Sequence, residues 1–224
     1  MKESLQSSER KYLAFIAILG LFALPAQLYL AIQNRTAGIP ETIIRFFSYF
    51  TILTNILILM GCLVLAINMN TRLTSFFSKP TTRTASAVYI TIVGVIYNTL
   101  LAQQWKPTGL QLVVDQLLHT VIPLLYITYW IIFVRRYRLE WKAMLPWTIF
   151  PIVYCLYTFL RGPIAGFYPY PFLDVTKLGY TQAFINIIGI VIAFLFISAI
   201  FIAATRIIRP TSKSVMETPG DFIN

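Results

Sequence analysis

The sequence predicts an all-α, polytopic membrane protein, with six transmembrane helices forming one domain over residues 1–224 and both termini in the cytoplasm. Three observations predict it. Apolar residues make up 58% of the chain and charged residues only 12%, with a mean hydropathy of +0.72. A soluble domain of this size has too little interior for so much apolar surface. Several apolar runs reach the ~20 residues that carry a helix across a bilayer. The basic residues behind the net charge of +10 lie in short connections between those runs. That placement speaks of membrane topology, and no nucleic-acid-binding motif accompanies it.

Met1 to Lys11 reads as a polar, basic tail, and the first span covers residues 12–32. At about 21 residues it exceeds a signal-peptide core and further spans follow, so it stays as a helix. Pro25 would kink it, as membrane helices tolerate. The following loop holds Asn34-Arg35-Thr36, an N-glycosylation pattern that has meaning only in a secretory-pathway protein. The second span, residues 43–67, is expected as one helix containing Ser48, Thr51, Thr54 and Asn55. Residues 68–84 are polar and basic, with Phe76-Phe77 expected in the interface.

The third span, residues 85–103, ends with Asn98, Thr99 and Gln103. A short loop with Trp105, Lys106 and Pro107 leads to the fourth, residues 110–134, which Arg135-Arg136-Tyr137-Arg138 closes. The fifth covers residues 144–160. Residues 161–174 contain three prolines and two glycines, which argues against a regular helix, and four aromatics suited to an interfacial cap. Arg161 is expected to snorkel to that interface. The sixth span, residues 180–207, is longer than a crossing needs and so tilts or protrudes. The tail from Arg209 reads as disordered. Cys62 and Cys155 fall inside spans and serve as small apolar fillers.

Orientation follows from the charges. Thirteen of the 18 Lys and Arg residues lie in the termini and the 2–3 and 4–5 connections, and five on the other side. The positive-inside rule then puts both termini in the cytoplasm. At ~1.5 Å per residue, Thr51 lies about 12 Å from the outer face on the second span, and His119 about 13 Å on the fourth. By the same rise Asn186 lies about 9 Å in on the sixth span and Asn98 roughly 8 Å in on the third. The polar candidates of four helices thus share the outer half, and the inner half is expected to be almost purely apolar. Packing hydrogen bonds have no reason to gather at one depth; a pocket opening outward does.

His119 is the only histidine, set within an apolar run, and an ionisable group inside a span marks a functional site. Asp115 precedes it by one helical turn and shares its face, unless it is merely a solvated residue at the helix end. Taken alone, Thr51 would bond back to the carbonyl of Phe47, and Asn55, Asn98 and Asn186 would be interhelical glue. The chemistry left open is narrow. One histidine and no cysteine pair argue against a zinc or bis-histidine haem site, so no cofactor or metal is expected. No lysine sits mid-span for a Schiff base, and no hydrolase elbow, HExxH or phosphate loop is present. A hydroxyl, an imidazole and a carboxylate remain. Thr51 would be the nucleophile, His119 its base and Asp115 the group that orients the ring. Asn55, Asn98, Asn186 and Thr54 are the candidates for substrate or oxyanion contacts.

Three short motifs add to this: Tyr49-Phe-Thr51-Ile-Leu-Thr-Asn55, His119-Thr-Val-Ile-Pro123 and Tyr170-Pro-Phe-Leu173. They resemble the androgen-induced family of six-helix membrane proteins, and its bacterial relatives more closely. The resemblance implies an intramembrane threonine hydrolase that cleaves fatty acid esters of hydroxy fatty acids, with Thr51 and His119 at the catalytic positions. Asp115 departs from the family pattern, which has an amide there, and a bacterial-type member can take a different lipid. The expected partners are therefore a fatty-acyl lipid and the membrane, with the cell membrane as location. The competing expectation is a small transporter or lipid-binding protein whose polar pocket cleaves nothing. Against it, the sequence shows no repeat and no broken helix pair within the spans. A purely structural scaffold would leave the shared depth unexplained.

Overall fold

The computed structural model describes residues 6–68, 71–104 and 106–207. Trp105 and the tail from Arg209 lie outside them. In chain order the helices are α1 (Ser7–Gln33), α2 (Ile39–Phe47), α3 (Phe50–Ile67), α4 (Arg72–Phe77), α5 (Pro80–Leu101), α6 (Gly109–Val134), α7 (Trp141–Ala165) and α8 (Val175–Ile207). Of these, α1, α3, α5, α6, α7 and α8 are long and apolar enough to cross a membrane. The chain is an all-α, multi-pass membrane protein, and its six spans match the number expected.

Consecutive spans run antiparallel, which leaves the two chain ends at one end of the bundle. There Arg10 at the start of α1 donates to the Ala66 carbonyl at the end of α3, and Arg206 near the end of α8 donates to the Leu139 carbonyl before α7. We call this the terminal end. The centre of the bundle is α3 and α5, half or more of whose apolar stretches are buried, whereas α7 is the most peripheral at 17%. Local sequence sets several boundaries. Asn68 ends α3 in the left-handed region, a conformation Asn tolerates, and the Thr71 hydroxyl caps α4 by accepting from the Thr74 N–H. Gly162 of α7 lies under the Tyr168 ring, where a Cβ would meet ring carbons at 2.1 Å. That close approach folds the 166–174 connection back over the end of α7.

Several expectations are corrected. The second span is not one helix over 43–67, because the chain breaks at Ser48–Tyr49 between α2 and α3. A second break falls at Gly179, whose φ of 72° only glycine adopts freely, so the regular part of α8 begins at Tyr180. The spans are therefore not free of broken helices. Residues 161–165 are helical despite Gly162 and Pro163, since a proline in the last turn forfeits a single hydrogen bond before Gly166 turns left-handed. Phe76 is exposed, but Phe77 is buried against Gly61 instead of lying in the interface. Arg161 does not simply snorkel; it grips both carboxylate oxygens of Glu41 at 2.7 and 2.8 Å.

The largest correction concerns the terminal half, expected to be almost purely apolar. Helix α1 begins at Ser7, inside the stretch read as a tail, and carries Glu9 into the bundle at 2% exposure. Arg83 of α5, at 6% exposure, donates to it at 2.8 Å, and the Tyr129 hydroxyl of α6 donates to the same oxygen at 3.0 Å. Arg83 Nε also donates to the Phe77 carbonyl. A buried ion pair thus joins three spans to α4.

Candidate functional site

At the opposite end of the bundle, the break before α3 creates the first half of the site. Ser48 closes α2 through its hydroxyl, which donates to the Ile44 carbonyl and meets the Tyr157 hydroxyl at 2.8 Å. Its own carbonyl accepts from Tyr154 at 3.1 Å. Tyr49 is extended and wedges its ring edge-on between Phe167 and Tyr170. Thr51 therefore stands in the first turn of a new helix, where backbone N–H groups have no partner within the helix. Its N–H donates to the Tyr170 hydroxyl at 3.2 Å, and its own hydroxyl lies 3.3 Å from the same atom. The bond to the Phe47 carbonyl is absent, because a helix that starts at Phe50 has no such turn to bond to. Withdrawal from water pushes the Tyr170 hydroxyl up to about 12, so it stays protonated and able to donate.

The second half is on α6, which widens into π turns at Leu117–Val121 and Trp130–Val134. The first has a local cause. Pro123 has no N–H, so it cannot bond to His119, and Ile122 donates instead to Leu117. The carbonyls of Leu118 and His119 lose their helical donors. Asn55 supplies one to Leu118 at 3.2 Å and Asn98 one to His119 at 3.4 Å. Gly94 permits this approach: a Cβ there would lie 3.3 Å from the His119 carbonyl oxygen. Asn55 and Asn98 are thus committed to the backbone of α6. Replacing Asn55 with leucine is expected to strand the buried Leu118 carbonyl and cost about 1–3 kcal/mol, as read from thermal unfolding in detergent.

Within this turn His119 Nδ1 lies 3.0 Å from the Asp115 carbonyl and 3.3 Å from its carboxylate. Those contacts favour the tautomer with hydrogen on Nδ1 and leave Nε2 as the basic nitrogen. Nε2 has no protein partner among the described residues. Asp115 is 4% exposed, so it is no solvated helix-end residue, and the Tyr97 hydroxyl of α5 donates to its second oxygen. The Tyr97 ring also stacks on the imidazole, with centroids 3.8 Å apart. The ring of His119 is held from its edge and its face at once.

Thr51, Asp115 and His119 all line one cavity of about 1000 Å³. A second, apolar cavity of about 370 Å³ lies between α5, α7 and α8, and the two share Thr51, Tyr97, Leu101 and Tyr170. The other expected contact residues do not line either cavity. Thr54 is fully buried with its hydroxyl unpartnered, as is the Asn55 carbonyl oxygen. Asn186 donates to the Phe172 carbonyl and holds α8 to the 170–173 turn. Tyr97 and Tyr170 were missed as site residues. Tyr97 sits one position deeper than Asn98, at the depth already singled out, and Tyr170 heads one of the short motifs.

At the cavity mouth, Glu41 of α2 bonds Arg45 at 2.8 Å as well as Arg161, and Arg45 lies over the Phe167 ring. The Arg45 and Arg161 guanidinium groups hold the Glu41 carboxyl below the usual carboxylate range. A depressed value in the folded state means this tie is intact above the ordinary range and is lost as pH falls through the depressed one. The acid limb of a stability-against-pH profile is expected to flatten in Glu41→Gln. Among the described residues no three His, Cys, Asp or Glu side chains converge to hold a metal ion.

The fold and site define a class: a six-span membrane protein in which a threonine hydroxyl and a carboxylate-held imidazole, from different helices, face one cavity. No family model matches the chain, and neither a curated protein nor a solved structure matches it significantly.

Proposed function

We propose that the protein is an intramembrane hydrolase of hydrophobic lipid esters, with Thr51 as nucleophile and His119 as general base and acid. The observation that carries this reading is that Thr51 and His119, from α3 and α6, line one cavity, which shares Thr51, Tyr97, Leu101 and Tyr170 with an apolar one. The resemblance of the short motifs to the androgen-induced family supports it, and points to fatty acid esters of hydroxy fatty acids as the substrate type.

The steps use groups already in place. Thr51 Oγ attacks the ester carbonyl carbon as His119 Nε2 takes its proton, directly or through one water. The Tyr170 hydroxyl, beside Thr51, is the nearest protein donor for the oxyanion. Collapse breaks the bond to the alcohol, which leaves with the proton from His119. Water then attacks the acyl-threonine, gives a proton to His119, and the acid departs as that proton returns to Thr51. Asp115 and Tyr97 keep the imidazole in its tautomer and orientation throughout. The positive-inside count supports cytoplasmic termini, an orientation that would put the cavity in the outer leaflet of the cell membrane.

A second reading, ligand binding without cleavage, is favoured by one observation: the Thr51 hydroxyl pairs with Tyr170 and not with His119. Treatment of the purified protein with an alkyl fluorophosphonate, followed by peptide mass spectrometry, separates the two. The hydrolase reading expects a phosphonylated Thr51, lost in His119→Ala; an unmodified Thr51 alongside ester lipids that bind but persist supports the second.

A further inference from the structure

The apolar cavity is bounded at both ends along α7 and α8, and several of its wall residues face out of the bundle. At the terminal end Met144–Trp147 packs against α8, and at the other the 170–173 turn is tied to α8 by Asn186. Between these closures its walls include Ile152 and Leu156 of α7, 50% and 58% exposed, and Val191 and Leu195 of α8, 41% and 39% exposed. Its floor is Ile92 of α5 and Phe194, 5% and 3% exposed. An apolar slot whose rims contact the surroundings and whose floor does not is a lateral opening. Both rims lie within spans, so hydrocarbon is what surrounds them.

We infer that the acyl chain of a bilayer lipid enters sideways between α7 and α8 and lies in this slot with its ester at Thr51. The inference rests on the hydrolase reading for what happens at Thr51, and on the slot for everything else. From Leu156 to Thr148, and from Ile187 to Leu195, each wall runs eight residues, or ~12 Å at ~1.5 Å per residue. The slot leads away from Thr51 toward the bilayer centre. Its lining is almost wholly aliphatic and aromatic, which offers a chain burial but gives a headgroup nothing to bond. The polar cavity on the other side of Thr51, lined by Arg45, Gln111 and His119, takes the remainder of the molecule. A water-borne ester would arrive from that side; a bilayer lipid need never leave the membrane.

Two measurements in phosphatidylcholine nanodiscs test this. In the first, Thr51 labelling rates are compared for hexadecyl and butyl fluorophosphonate. Val191→Trp, which fills the rim, is expected to lower the hexadecyl-to-butyl ratio about tenfold or more. Ile192→Trp, exposed beside it but outside the slot, leaves the ratio unchanged. In the second, a fatty acyl ester with a diazirine at its chain end is photolysed and the crosslinks are mapped. Adducts on Ile92 and Phe194 are expected, because bulk lipid cannot reach these buried side chains. An unchanged ratio in Val191→Trp, with crosslinks confined to freely exposed residues such as Ile18 and Leu124, overturns the slot and leaves the hydrolase standing. If neither probe labels Thr51 yet Phe194 is crosslinked, the hydrolase reading falls and the lipid slot survives.

Discussion

Thr51→Ala is expected to abolish measurable ester turnover, and His119→Ala to lower kcat by about 10²–10⁴-fold, the usual contribution of a positioned general base. The two losses should not add, because nucleophile and base act as a unit. The double variant is therefore expected near the level of Thr51→Ala alone. Thr51→Ser keeps a hydroxyl in the first turn of α3 and should retain part of the rate. Asp115→Asn should fall between parent and His119→Ala, since the amide cannot stabilise the imidazolium as a carboxylate does. Each variant is measured as the purified protein on a long-chain ester, with thermal unfolding confirming that it folds. A Thr51→Ala protein that turns over at the parental rate would end the mechanism outright.

The six spans were legible because each is a long apolar run, and composition alone forces such runs into helices. Depth was legible only in part: the rise per residue holds along α6, but for Thr51 it assumed a continuous helix from Ile43, which breaks at Ser48–Tyr49. That arithmetic brought Thr51 and His119 to one level before any contact was known. What the run of residues could not display is where a helix stops being regular. No glycine or proline separates Phe47 from Phe50, so the break at Ser48–Tyr49 depends on tertiary partners: Tyr157 and Tyr154 on Ser48, and Phe167 and Tyr170 around Tyr49. Pro123 did carry a local signal. A proline four residues after His119 frees that residue's carbonyl, and this explains Asn98 as a donor to backbone more economically than as a donor to substrate. The roles of Tyr97 and Tyr170 needed coordinates, because a tyrosine in a span reads as apolar until its hydroxyl finds a partner.

Glu9 is the residue that sequence reasoning placed least well, and it leads to the second large effect. As the third residue of α1, among charged neighbours, it reads as part of a solvated tail. Arg83 likewise reads as one more basic residue in a cytoplasmic connection. Only the packing of α1 between α3 and α6 brings the two charges together out of water. Arg83→Met is expected to destabilise the protein by about 3–5 kcal/mol, because it leaves the Glu9 carboxylate buried with the Tyr129 hydroxyl as its main partner. Glu9→Gln combined with Arg83→Met should recover much of that loss, since no uncompensated charge remains. A double-mutant cycle from denaturant or thermal unfolding in one detergent measures this coupling. Additive losses would mean the pair is not coupled. The expected effect on chemistry is the opposite of that for Thr51: turnover per folded molecule stays at the parental value, because the ion pair and the cavity lined by Thr51 and His119 sit at opposite ends of the bundle. A fall in both stability and turnover would instead require the terminal end to control the shape of the cavity. The continuous run of α1 from Ser7 to Gln33, with Pro25 inside it, is then the element through which such control would pass.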